Sequence, residues 1–315
     1  MSVNNNTTLF NETSIIKKIH LTGNSMCMRE RREGGYIGTF RNMNNNPLNT
    51  TNCWVINNNV IAYFDNEFNV ISGFELDENL KTVPRFTNYT KGLEDIRIIG
   101  DNNLISGSLD TNPDWLCEIV YSEFSHETHK LTKLVRLHIE GNDRIHQKNW
   151  TVLKKNGDKY DILYWYNPFI IVSLNVSNGI GVITKKYSVH ALATIKAHGG
   201  ACIYLEKYNQ FLVLIRIFDE HETSNVYKSS RWLLLDDTYE VCGLSTIGDF
   251  NFECPGKKRS NIYYELCISL ILKGDDLYLP VTINECNKYI YKISLSDLMN
   301  TFYEVKDIIY LPTNS

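Results

Sequence analysis

Trp150-Thr151-Val152-Leu153, a turn at Asn156-Gly157-Asp158, and then Tyr160-Asp161-Ile162-Leu163-Tyr164 make an apolar run, a polar turn and a second apolar run. Both runs are rich in β-branched and aromatic residues and too short for helices, so they read as paired strands. The pattern recurs. Gly35-Tyr36-Ile37-Gly38-Thr39-Phe40-Arg41 opens the first copy, and Ile96-Arg97-Ile98-Ile99 turns at Gly100-Asp101-Asn102-Asn103 into Leu104-Ile105-Ser106 in the second. Ala201-Cys202-Ile203-Tyr204-Leu205 turns near Asn209 into Phe211 to Ile215, and Leu266 to Leu272 turns at Lys273-Gly274-Asp275-Asp276 into Leu277 to Val281. Counted from Tyr36, Ile96, Trp150, Ala201 and Leu266, the steps are 60, 54, 51 and 65 residues, the size of one four-stranded blade with a loop.

Outer strand pairs follow the same logic. Val60 to Phe64 turns at Asp65-Asn66 into Asn69 to Phe74, and Trp232 to Leu235 turns at Asp236-Asp237 into Tyr239 to Cys242. The one helical stretch is Ser294 to Asn300, with Ser296-Asp297 able to cap it. The reading is an all-β, five-bladed β-propeller forming a single domain over 1–315. It has an N-terminal segment at 1–33 and blades at about 34–90, 91–145, 146–196, 197–260 and 261–310. The same strands could also build a β-sandwich or a two-sheet barrel.

Composition fits one globular unit, since 43% hydrophobic residues in a chain of 315 can fill a large core. A net charge of -4 offers no basic face for nucleic acid, and the one basic cluster, Arg29-Glu30-Arg31-Arg32, reads as a solvated loop. The eight cysteines lack a CxxC pair and several sit in apolar runs, where a thiol behaves as a small hydrophobe. No signal peptide is legible after Met1, and no apolar stretch approaches the roughly 20 residues that span a bilayer. The expectation is a reducing, cytoplasmic location with no membrane partner.

In a propeller the inner strands line a central channel, so residues at one end of them share a mouth. Polar groups gather beside these strands: Arg41-Asn42 after the first, Glu94-Asp95 with Arg97 in the second, Lys148-Asn149 in the third, His198-Gly199-Gly200 in the fourth, and Tyr264-Glu265 in the fifth. Acids, bases and amides converging on one cavity suit sugar chemistry, which needs a proton donor for the leaving oxygen and planar polar groups for hydroxyls. Asp95 is the sharpest candidate, because a neighbouring carboxylate and an Arg can set its proton affinity. The plain alternative is a polar strand start closed by a salt bridge. Trp115, Trp165, Tyr166 and Trp232 could stack on sugar faces or belong to the core. His126-Glu127-Thr128-His129 lacks the spacing of a zinc motif, and Gly199-Gly200 reads as a close backbone approach.

Gly92-Leu93-Glu94-Asp95-Ile96-Arg97-Ile98 resembles the Glu-Asp-Pro-Arg motif of glycoside hydrolase family 130, five-bladed propellers that include β-mannoside phosphorylases and related mannosyltransferases. Lys148-Asn149-Trp150 with Asn167-Pro168, then His198-Gly199-Gly200-Ala201, then Asn284-Glu285-Cys286 resemble that family's third-, fourth- and fifth-blade segments in order. The resemblance implies that Asp95 is the general acid of an inverting phosphorolysis, hydrolysis or glycosyl transfer. It also implies that Arg41, Asn42 and Arg97 shape the sugar pocket and that Lys148 and Asn149 lie near acceptor or phosphate. Two departures stand out. Ile96 replaces the family's proline, and Trp165-Tyr166-Asn167-Pro168 replaces a His-Arg-Pro segment, which removes an Arg that would hold phosphate. No resident cofactor is implied; inorganic phosphate or a sugar nucleotide is a possible co-substrate. The partner expected is a carbohydrate, and the alternative is an inactive propeller serving as a glycan-binding or protein-interaction platform.

Overall fold

The computed structural model describes residues 9–10, 12–44, 55–86, 90–114, 116–141, 147, 149–218, 227–255, 265–284 and 287–313. Among them the strands form five sheets, each an antiparallel meander at its centre, arranged as a five-bladed β-propeller. Blade 2 is the plainest: Glu94–Ile98, Asn103–Ser108, Glu118–Phe124 and Leu131–Arg136 follow one another from the channel outward. Blades 3 and 4 begin at Thr151–Asn156 and Ala197–Leu205 and run outward in the same way. Turn chemistry fixes the hairpins. Asn209 adopts φ 52°, which its short polar side chain tolerates, and Asp65 Oδ1 accepts from the backbone N–H of Glu67 (3.0 Å) and Asn69 (2.7 Å).

The ring departs from the sequence reading at both ends of the chain. Tyr36–Asn44 is the second strand of blade 1, and the channel strand is Ser25–Glu30, so the blade starts before residue 34. Met26, Cys27 and Met28 on that strand are all buried, and the polar residues on either side of them hid the run. Ile15–Ile19, placed in an N-terminal segment by the sequence, pairs antiparallel with Asn287–Ser294 as the outermost strand of blade 5. Closing the last blade with the first strand covers an edge that would otherwise present unpaired backbone groups. The C-terminal residues also leave blade 5: Phe302–Glu304 extends blade 4 and Ile308–Tyr310 extends blade 3. The helix is Leu295–Met299, and its cap is Ser294, whose Oγ accepts from Asp297 N at 3.1 Å; Ser296 Oγ donates instead to Asp275.

The core lies between blades. Trp232 packs with Phe10 and Phe250 between blades 4 and 5, and Trp150 packs edge-on to Tyr164 between blades 2 and 3. Trp232 and Tyr166 are therefore core residues, at 0% and 3% exposure, whereas Trp165 is only half-buried. Cys27, Cys117, Cys254 and Cys267 are buried; burial pushes the thiols of Cys27 and Cys267 above the usual range, which leaves those two inert fillers.

Candidate active site

Asp95 stands at the start of blade 2's channel strand in a bulge. Glu94 pairs with Gly107 and Arg97 with Ile105, so two residues, Asp95 and Ile96, face Ser106 alone. Asp95 adopts φ 48°, an uncommon backbone for a residue with a Cβ and a form of strain concentrated at functional sites. The bulge turns its carboxylate toward Arg41, which lies 3.2 Å from Asp95 Oδ1 and 3.3 Å from Glu94 Oε1. Arg41 comes from the second strand of blade 1, not from a channel strand, and its Nε donates to Asn57 Oδ1 at 2.8 Å. The Asp95 side chain keeps 27% exposure, more than Arg41 (13%) or Glu94 (12%).

Two further guanidiniums lie beneath. Arg97 donates to the carbonyls of Gly200 and, at 3.4 Å, Gly199; Arg216 donates to Gly199 O at 3.1 Å and to Asn149 Oδ1 at 2.7 Å. Asn149, at φ 61°, repeats at blade 3 the left-handed start seen in Asp95. Backbones come so close here that a Cβ on Gly199 would lie 1.8 Å from Asn149 O and one on Gly200 2.2 Å from Leu214 O, which is the close approach expected of this pair.

The charges set the proton affinities. Burial pushes the Asp95 carboxyl up, but the charges of Arg41, Arg216 and Arg97 and the Arg41 hydrogen bond outweigh it and hold the group below the usual carboxylate range. Burial and the neighbouring Arg216 pull Arg97 down, although a guanidinium stays charged. Burial pushes the Tyr166 phenol up; its hydroxyl is 2.8 Å from Thr151 Oγ1, so it offers no cation where a phosphorylase of the resembled family has one. A hollow of about 30 Å³ beside Asp95, lined by Glu94, Arg97, Ser106, Asn149 and Trp150, has room for about two water molecules. The far mouth of the channel is wider, about 890 Å³, and is lined by Arg29, Arg31, Arg32, Lys154 and Lys155. Ion pairs of Arg31 with Glu33 and of Arg32 with Asp101 offset part of that charge, and Asp95 does not line it.

The structure thus brings together Asp95, Glu94, Arg41, Arg97 and Asn149. Asn42 follows Arg41 along its strand and, by the strand alternation, points to the other face. His198 is opposite Arg216 in register and meets Trp165 edge-on at 5.7 Å, away from the hollow. Glu265 is buried and accepts from Ser230 Oγ (2.9 Å) and Phe252 N (2.8 Å), a role in joining blades 4 and 5. Lys148, Tyr264, Trp115, Glu285 and Cys286 lie outside the described residues. Sequence reasoning missed Arg216, although a lone Arg inside the apolar run Phe211 to Phe218 was a usable signal. It also missed Asn57 and Asn59, concealed in an Asn-rich chain.

No protein-family model matches the chain, and no curated protein matches it in sequence. Solved structures do share its shape. The β-1,2-mannobiose phosphorylase from Listeria innocua, solved with β-1,2-mannobiose, superposes with a TM-score of 0.60 at 12% identity over 94% of this chain and 98% of its own. A glycosyl hydrolase from Bacteroides ovatus gives 0.56 at 11% identity, over 92% and 87%. The Bacillus subtilis arabinanase gives 0.51 at 9% identity, over 90% and 98%. At such identities the likeness is one of fold, and the chain is a five-bladed β-propeller of the architecture found in these glycoside hydrolases and this glycoside phosphorylase.

Proposed function

We propose that the chain is a carbohydrate-active enzyme that cleaves or transfers a mannoside-like glycosyl unit at the Asp95 mouth. The observation that carries this reading is the partly exposed Asp95 carboxylate, presented by a bulge with left-handed backbone against Arg41. The fold shared with glycoside-processing propellers supports it. Held ionised by three guanidiniums in the free protein, Asp95 takes a proton from solvent when sugar binds and gives it to the leaving oxygen as the glycosidic bond breaks, while the attacking water or acceptor hydroxyl bonds to the anomeric carbon and releases its own proton to solvent. A sugar hydroxyl that displaces Arg41 raises its proton affinity at the step where an acid is needed. The described guanidiniums are engaged by carboxylates and backbone carbonyls, which favours hydrolysis or transfer over phosphorolysis.

The Arg41 ion pairs also favour a second reading, a propeller that binds glycans without turnover. One experiment separates the two. The protein is incubated with a panel of β-mannosides, alone and with phosphate, and with mannose 1-phosphate and GDP-mannose as donors, beside Asp95→Asn. The enzyme reading expects turnover that falls at least roughly a hundredfold in the variant. Full activity in the variant removes Asp95 from the chemistry, and binding with no turnover establishes the second reading.

A further inference from the structure

Behind Asp95 lies a polar hollow of about 310 Å³ that includes Asn57, Glu78, Arg85, Gly92 and Asp110. It holds the segment from which Asp95 emerges. Glu78 Oε2 accepts from Leu93 N at 2.8 Å, while Asn59 Nδ2 donates both to Leu93 O (2.8 Å) and to Glu78 Oε1 (2.6 Å). Both polar groups of Leu93 are therefore gripped by one Glu-Asn pair. Next to it, Gly92 N donates to Asp110 Oδ2 at 3.1 Å, and Asn57 Nδ2 reaches Gly92 O at 3.4 Å while Asn57 Oδ1 holds Arg41. On the other side of Asp95, Thr39 Oγ1 donates to Ile96 O at 2.8 Å. Since Asp95 lies in the bulge, the ladder does not fix it, and these flanking side chains do.

We infer that Glu78 is a positioning residue: with Asn59 it clamps Leu93 and so sets the Asp95 carboxylate against Arg41, and the clamp opens when Glu78 takes up a proton. The inference rests on the reading of Asp95 as the proton-handling group. The reason is geometric. Oε1 faces the Asn59 amide N–H, so a proton placed there sets two donors against each other. Relief comes from turning the amide so that Asn59 Oδ1, a buried oxygen with no hydrogen-bond partner among the described residues, accepts from Glu78; that turn takes Nδ2 away from Leu93 O. Proton uptake and the grip on Leu93 therefore compete. Burial pushes the Glu78 carboxyl up to about 7, against the bonds from Asn59 and Leu93 and the charge of Arg85, with Asp110 adding to the rise. The charged groups around the hollow are Arg85, paired with Asp110 at 2.7 Å, Lys91, Glu75 and Asp77, the last paired with Lys130.

The test follows Asp95 itself. Protein labelled with 13C at the Asp carboxyls is titrated from pH 5.5 to 8.5, with Asp95→Asn assigning the resonance. Asp95 is ionised throughout this range, so a step in its shift with a midpoint near 7 reports the Glu78 clamp. The step is expected in the wild type and absent in Glu78→Gln. Asn59→Ser gives a second check should Glu78→Gln not fold: it keeps Glu78 but lets go of Leu93 O, and shrinks the step. A wild-type resonance flat across pH 7, or a step that survives Glu78→Gln, overturns the inference. If a sugar is turned over, kcat falls below pH 7 in the wild type; in Glu78→Gln it is roughly tenfold lower and flat, with KM little changed. The titration needs no turnover, so absence of sugar chemistry counts against the enzyme reading alone.

Discussion

Replacing Arg41 by Met removes the cation that Glu94 and Asp95 share and keeps most of the stem's volume. The side chains are 13%, 12% and 27% exposed, so the two carboxylates left behind are largely, though not fully, withdrawn from water. Removing one partner of a fully buried pair costs about 3–5 kcal/mol, and leaving a buried acceptor such as Asn57 Oδ1 unpaired costs about 1 kcal/mol or more. Partial exposure lowers the first figure, and we expect a loss of about 3 kcal/mol at pH 7. For a chain of 315 residues an unfolding entropy of about 2.1 cal/mol/K per residue makes that a Tm drop of about 5 °C. The pH dependence carries the sharper signature. The folded Asp95 lies below the usual carboxylate range, so its pairing stabilises the protein above about pH 4, its ordinary unfolded value, and is lost as pH falls through the lower folded value. The gap between wild type and Arg41→Met therefore narrows toward pH 3. Differential scanning calorimetry at pH 7, 5 and 3.5 measures it. Equal Tm values at pH 7, or a deficit that does not shrink in acid, would refute the claim that Arg41 holds the ionised Asp95 carboxylate.

Gly199→Ala should prevent folding or cost more than about 3 kcal/mol, since the new Cβ meets backbone oxygen 1.8 Å away; urea unfolding beside Gly107→Ala, where the new Cβ meets nothing nearer than 3.5 Å, checks it. Trp232→Ala should cost about 3–5 kcal/mol through the cavity left beside the stacked Phe10 and Phe250 rings, read from the urea midpoint. Glu78 has a folded value raised to about 7, so its contribution to stability is fully present below the unfolded value near 4.5 and is lost as pH rises through 7. Glu78→Gln should therefore gain on the wild type between pH 5 and 8 by on the order of 2 kcal/mol, seen as a difference in Tm slopes. Deleting residues through Ile19 uncovers the edge of Asn287–Ser294 and removes Phe10, and light scattering should show aggregation where the full chain stays dispersed.

The hairpins of blades 2 to 4 were legible because each is a local event. Two apolar runs and a turn residue such as Asn209 or Gly157 contain the information for their own pairing. The carboxylate at Asp95 and the glycines at 199–200 were legible for the same reason, as residue types out of place in an apolar strand. What the sequence could not yield was any partner chosen across the ring. Ile15–Ile19 finds Asn287–Ser294 more than 260 residues away, a separation at which no local pattern specifies the pairing and only closure of the ring makes it favourable. Arg41 was singled out as a channel-strand residue; it reaches Asp95 from a second strand because the bulge tilts Asp95 toward it. His198 and Glu265, equally polar and equally near a strand start, are turned instead toward Trp165 and toward Ser230 and Phe252. Sequence alone thus determined which residues could form strands and where unusual polarity lay along them. The tertiary structure decided which of those polar groups share a mouth, because strand direction, register and a single bulge set where each side chain points, and those are properties of the assembled ring.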